Sequence, residues 1–285
     1  MKRTSIAIVG PGRLGTVLAR RLASNGCRIT EIVSRNKCLS LATATKLARK
    51  LGARARTSSD ALLDAAVVWL CVPDSEVSTA AAKFSRRDWR GKIALHSSGV
   101  LSSDALGFLR KKGAAVASVH PLMTFVEGTV PELTGVPFAI EGDPHAVEAA
   151  KKIVWKLGGD AFPIRKQDKA AYHAFSTIIC PLFVSLLATS ETVAEAAGIS
   201  QKEARRRMMP IIHQTLANYS KLRPAGAFSG PIVRGDAETV RKHLKALAKN
   251  RAATNVYVAL AEAALKYLPS RNRKAIRKAL SESCS

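Results

Sequence analysis

Gly10, Gly12 and Gly15 stand in the order Gly10-Pro11-Gly12-Arg13-Leu14-Gly15, directly after the apolar run Ser5–Val9. Behind them Leu14, Val17, Leu18 and Leu22 recur on one helical face. Each glycine answers a separate need. Gly10 permits a tight turn from strand to helix, Gly12 lets the main chain approach a pyrophosphate, and Gly15 allows the helix to pack closely on the strand. The helix start then presents free N–H groups and the positive end of its dipole to phosphate. Dinucleotide binding by residues 10–15 is the chemistry this spacing implies. The next apolar run ends Ile32-Val33-Ser34-Arg35-Asn36. Ser34 occupies the place of an acid that would hold a ribose 2′-hydroxyl, and Arg35 beside it suits a 2′-phosphate. NADP is therefore expected ahead of NAD. The competing reading uses Glu31, which has suitable spacing for that acid but lies inside the strand.

Further candidates fall where later apolar runs end. Val67–Val72 runs into Pro73 and Asp74. In a doubly wound sheet such loops line the cofactor cleft, so Cys71, Val72 and Pro73 are expected cofactor contacts. Asp74 is expected to cap the following helix. His120 closes the run Ala114–Val119 and has a reference pKa near working pH, which suits a proton donor beside a nicotinamide. The alternative is a ring tied to a neighbouring carbonyl. Lys169, Tyr172 and His173 lie at i, i+3 and i+4, so one helical face carries three proton-active groups. Asp236 is expected to cap a helix, and Arg234 either grips a substrate carboxylate or holds its turn. The six histidines show no paired ligand spacing and the five cysteines are scattered, so neither a metal site nor a disulfide framework is expected.

The elements that must bring these residues together follow the same pattern. Strands are expected at Ser5–Val9, Ile29–Val33, Val67–Val72, Lys92–His96, Ala114–Val119, Val136–Glu141 and Ala161–Ile164. Helices are expected at Arg13–Asn25, Leu39–Leu51, around Ser103–Lys112, and at Pro144–Leu157. That alternation is the mark of βαβ units and a mostly parallel sheet. After about residue 165 strand-like runs give way to helical patterns: Lys169–Ala197, Gln201–Tyr219, Ala237–Ala248, Ala252–Leu268 and a short basic C-terminal helix. Two domains are expected, 1–164 binding NAD(P) and 165–285 all-helical, serving substrate binding and dimerisation.

With these pieces placed, the chain resembles Rossmann-like proteins that carry a C-terminal domain of unknown function. These are relatives of deazaflavin-dependent NADP oxidoreductases, pyrroline-5-carboxylate reductases and β-hydroxyacid dehydrogenases. The marks are Gly10–Gly15, Cys71–Asp74, His96-Ser97-Ser98-Gly99, His120–Phe125, Tyr172-His173-Ala174 and Gly230–Asp236. The resemblance implies an N-terminal Rossmann sheet followed by an all-α domain like the C-terminal domain of 6-phosphogluconate dehydrogenase. It also implies a substrate contact from Ser97 or Ser98, and for Lys169 the position of a general acid. One departure stands out: where the family has Ser-Asn on the long helix, this chain has Cys180-Pro181, which removes an amide and kinks the helix.

The balance of 45 Lys+Arg against 21 Asp+Glu gives a formal net charge of +24, spread over both halves. Such a field attracts anions without choosing among them. No nucleic-acid motif accompanies it, so a nucleic-acid partner is not expected. No apolar run approaches a membrane span and no secretory leader is visible, so a cytoplasmic protein is expected. The leading expectation is an NADP-dependent oxidoreductase, homodimeric, moving a hydride between nicotinamide and a small carbonyl, imine or hydroxyl compound. The alternative is an NADP-binding sensor or scaffold without turnover, for which Cys180-Pro181 speaks.

Overall fold

The computed structural model describes residues 3–282, so Cys284 lies outside the described residues. Eight strands form one sheet in the order β3-β2-β1-β4-β5-β6-β7-β8. They are β1 (Ser5–Val9), β2 (Arg28–Ser34), β3 (Arg54–Thr57), β4 (Val67–Leu70), β5 (Ile93–His96), β6 (Ala115–Pro121), β7 (Pro137–Gly142) and β8 (Asp160–Pro163). Neighbours run parallel except β6 against β7. The first helices are α1 (Arg13–Ser24), α2 (Cys38–Leu51), α3 (Asp74–Phe84), α4 (Gly107–Arg110) and α5 (Pro144–Lys156).

Side chains alternate along β1, and the two faces it serves are both apolar. Ile6 and Ile8 join a cluster with Val17, Leu18 and Leu22 of α1, Leu47 of α2 and Ile153 of α5. Ala7 and Val9 join the other, with Val77 and Phe84 of α3 and Leu109 of α4. A sheet covered on both faces needs apolar residues at successive positions, which is why Val67–Leu70 is buried throughout. From β1 the chain turns to β2 on one side and, later, to β4 on the other. That reversal opens a crevice at the carboxyl ends of the strands, where such sheets bind ligands.

The chain divides into two compact units between Thr177 and Ile178. The sheet ends at Pro163, but the first unit continues into α6 (Lys169–Ile179), so Lys169, Tyr172 and His173 belong with the sheet. The second unit holds α7 (Pro181–Ala196), α8 (Gln201–Ala227), α9 (Pro231–Arg234), α10 (Ala237–Leu247), α11 (Arg251–Tyr267) and α12 (Arg273–Ser281). Its core comprises Val240, Leu244, Ala261, Leu265, Ile276, Ala279 and Leu280.

Several expectations need correction. The single helix over 169–197 is two, because Cys180 leaves helical geometry (φ −122, ψ −82) and Pro181 starts α7 at its first turn. The helix expected over 201–219 reaches Ala227, interrupted at Arg223, which takes a left-handed φ of 61 ahead of Pro224. Ser103–Lys112 is a 3-10 turn followed by the four-residue α4. Asp74 is no cap: Pro73 holds that position, and Asp74 contributes its charge inside the first turn of α3. Asp236 does cap α10, accepting the Thr239 N–H at 3.0 Å. Contrary to expectation, Lys166–Ala196 is long and apolar enough, by length and composition, to cross a membrane (mean hydropathy 1.6). The break at Cys180 divides this stretch, and its apolar window is not buried within the described residues.

Candidate active site

The crevice is a cavity of ≈ 530 Å³ lined by Gly10, Pro11 and Gly12 of the turn, Ser34 and Arg35, Cys71–Pro73, and residues of α2 and α3. Gly10 takes φ +97, and a Cβ there would lie 2.5 Å from the Cys71 carbonyl oxygen. A side chain on Gly15 would sit 2.0 Å from the Gly10 carbonyl oxygen, so helix and turn are in direct main-chain contact. At Gly12 the space is open, with nothing within 4 Å of a Cβ. No side chain caps α1 and no acid occupies its first turn. Open space, a bare helix start and a glycine turn together fit a pyrophosphate. Arg13 is exposed at the helix start; it, Leu14 and Gly15 do not line the cavity.

At the far end of this cleft the Glu31 alternative fails. Glu31 is fully buried, accepts the Leu63 N–H at 3.0 Å and meets Arg54 at 3.3 Å. Its carboxylate holds the β3–β4 connection and is not offered to a ribose. Ser34, by contrast, ends β2 with Arg35 at the cavity wall.

The second constellation lies along the carboxyl ends of β5 and β6. His96 is fully buried; its Nδ1 accepts the Ser98 N–H at 3.1 Å, which leaves Nε2–H to donate to the Ser102 carbonyl at 3.0 Å. Burial pushes its pKa down to about 4. It is a structural histidine that shapes the turn Ser97–Gly99. Ser97 accepts the Trp69 indole N–H at 2.8 Å and keeps its own proton to donate.

Lys169 is fully buried. Its ammonium donates to the Ser98 carbonyl (3.1 Å) and the Ser118 hydroxyl (2.7 Å), tying α6 to the ends of β5 and β6. Burial lowers its pKa, with Glu141 and Asp74 opposing. His120 lies within β6 and not past its end; its Nδ1 is 3.0 Å from the Tyr172 hydroxyl. The His173 ring stands edge-on to it at 6.0 Å. Burial first, then the Lys169 charge and the other two histidines, pushes His120 down to about 4. Burial raises Tyr172 to about 12. At neutral pH the pair is a neutral imidazole beside a protonated phenol.

Sequence reasoning missed two members of this cluster. Ser118 is fully buried, and its only signal is a hydroxyl inside an apolar strand run. Gly99 lies where any Cβ would come within 2.4 Å of His173 Cδ2 and 2.9 Å of His120 Nε2. The structure thus brings His120, Tyr172 and His173 together around Gly99, with Lys169 behind them. Arg234 is exposed at the end of α9 in the second unit. Among the described residues no group of three or more His, Cys, Asp or Glu could hold a metal ion.

Residues 5–96 match the family described as NADP oxidoreductase, coenzyme F420-dependent, and residues 136–264 match the domain of unknown function DUF2520. The first match ends at His96 and the second contains Lys169, Tyr172 and His173, so His120 falls between them. Among solved structures, protein TM1727 from Thermotoga maritima is 25% identical over 98% of this chain and 100% of its own (TM-score 0.70). An imine reductase from Pseudomonas sp. is 20% identical over 93% and 94% (TM-score 0.67). A reductive aminase from Aspergillus terreus, in complex with NADPH and ethyl-5-oxohexanoate, is 14% identical over 97% and 99% (TM-score 0.68). At these identities the last two speak for the fold. No curated protein matches this sequence.

Proposed function

We propose that the protein is an NADPH-dependent reductase acting on a small carbonyl or imine compound, with Tyr172 as the proton donor. The observation that carries this reading is the protonated Tyr172 phenol, set against His120 at the carboxyl edge of a dinucleotide-binding sheet. Bound NADPH would supply a hydride to the unsaturated carbon. The chain's own part is to hold the cofactor and to deliver a proton to the oxygen or nitrogen left with the electron pair. With His120 Nδ1–H donating to the phenolic oxygen, the phenol proton is free for substrate, and the imidazole stabilises the phenolate left behind. The His120 ring then hands the phenolate a solvent proton. Ser97 lies at the end of the adjacent strand with a donor to spare for a substrate oxygen. Lys169 acts through Ser98 and Ser118, holding the two strand ends at fixed separation; its buried ammonium suits positioning better than the general-acid role implied by its place on the helix. His173 packs against His120 and keeps its ring in place.

Gly10, Pro11, Gly12, Cys71, Val72 and Pro73 would hold the pyrophosphate and nicotinamide half of the cofactor, and Ser34 with Arg35 the 2′-phosphate. Arg35→Gln is expected to weaken NADPH binding about 10- to 100-fold while leaving NADH within about two-fold, as removal of a charge-assisted phosphate contact would. Isothermal titration with both nucleotides checks it, and equal losses for the two would refute the assignment.

A homodimer in the cytoplasm is part of the same reading. Ile178, Leu182 and Val184 on α6 and α7, and Ile211 and Leu216 on α8, are more than half exposed. A second copy covering such faces is the ordinary remedy for apolar surface of this extent.

A further inference from the structure

The adenosine end of the cleft already contains an anion. Glu76, in the first turn of α3, places Oε1 3.0 Å from Arg35 Nη1, and both residues line the cavity. Around them stand the hydroxyls of Ser34, Ser40, Thr43 and Ser58, and Lys83, whose ammonium donates to Ser58 at 2.7 Å. The side chains of Arg35 and Glu76 are 58% and 38% exposed. An ion pair so well solvated contributes little and breaks at little cost. It occupies the one guanidinium that the cofactor reading assigns to the 2′-phosphate.

We infer that Glu76 is a specificity-determining residue: its carboxylate stands in for the 2′-phosphate on Arg35 and competes with it. NADPH has to displace that carboxylate to reach the guanidinium. NADH, with a neutral 2′-hydroxyl, leaves the Arg35–Glu76 pair intact. Glu76 therefore narrows the preference for the phosphorylated cofactor that Arg35 and Lys83 would otherwise impose. The first-turn position gives Glu76 a second, modest role through the helix dipole, which a stability measurement reads separately.

This inference rests on the assignment of NADPH to the cleft, and a double-mutant cycle keeps the two apart. The full-length protein and its Glu76→Gln, Arg35→Gln and Arg35→Gln/Glu76→Gln variants are titrated with NADPH and with NADH, and thermal melts confirm that each is folded. Glu76→Gln is expected to tighten NADPH about 3- to 10-fold, leave NADH within about two-fold, and steepen the salt dependence of NADPH binding. In the Arg35→Gln background the same substitution is expected to change the NADPH/NADH ratio by less than about two-fold, since the competition requires the guanidinium. Tightening of both nucleotides alike, or no tightening of NADPH, overturns the competition. Failure of the wild-type protein to bind NADPH, or an Arg35→Gln variant that binds it undiminished, overturns the cofactor reading instead.

Discussion

Tyr172→Phe is expected to lower kcat for carbonyl or imine reduction about 10²- to 10³-fold, with NADPH affinity within about two-fold of wild type. The substitution removes one oxygen atom. The ring contacts with Phe162 and Phe175, at 6.0 and 6.5 Å, persist in phenylalanine, so the local packing has no reason to collapse. What disappears is the phenolic hydroxyl, whose oxygen lies 3.0 Å from His120 Nδ1. The pH dependence follows the same logic. The phenol must be protonated to act, and burial raises it to about 12, so that group imposes no loss on the alkaline side of the working range. His120 stays neutral above about 4 and keeps its Nδ1–H, so its support does not change across the working range. Between those limits neither group should bend the profile. A variant that kept its wild-type kcat would remove Tyr172 from the chemistry and leave His120 or Ser97 as the donor.

Gly15→Ala carries the largest expected effect on stability. The new methyl would lie 2.0 Å from the Gly10 carbonyl oxygen and 3.1 Å from Cys71 Cβ. The first of these is a main-chain atom in a turn whose own glycine already takes φ +97, so it cannot yield alone. Either α1 moves off β1 or the turn is rebuilt, and both alter the cleft. A loss of about 3 kcal/mol is expected, equivalent to a Tm lower by roughly 6–12 °C, together with at least about tenfold weaker NADPH binding. Differential scanning calorimetry and nucleotide titration check the two halves. A melt within about 2 °C of wild type would show that the helix–turn contact is not needed.

The order of these two effects reflects how the sequence encodes the protein. The glycine turn was legible because each of its constraints is local: a strand before it, a helix after it and main-chain contact between them. The sheet was legible from apolar runs, save β3, where Arg54-Ala55-Arg56-Thr57 is too short and polar to stand out. NADP ahead of NAD was an expectation drawn from Ser34 and Arg35, and only the fold could remove the Glu31 alternative, by burying it under Leu63. The proton-active face of α6 was visible as a spacing, but the separate partners of its members were not. Periodicity put Lys169, Tyr172 and His173 on one stripe, whereas the sheet edge divides them: Lys169 turns inward to Ser98 and Ser118, and the two rings meet His120. That division depends on residues some fifty and seventy positions away, which no helical pattern can report. Glu76 was hidden for the same reason, since its pairing with Arg35 spans β2 and α3.

Hydride transfer from NADPH is open to one direct measurement. The protein is incubated with NADPH carrying deuterium on one face of nicotinamide C4, in separate preparations for each face, and with a panel of small ketones and cyclic imines. Products are read by mass spectrometry. Incorporation of one deuterium per molecule of product from one preparation and none from the other is the predicted result. Saturable NADPH binding with no deuterium in any product across the panel would contradict it and leave an NADP-binding sensor or scaffold.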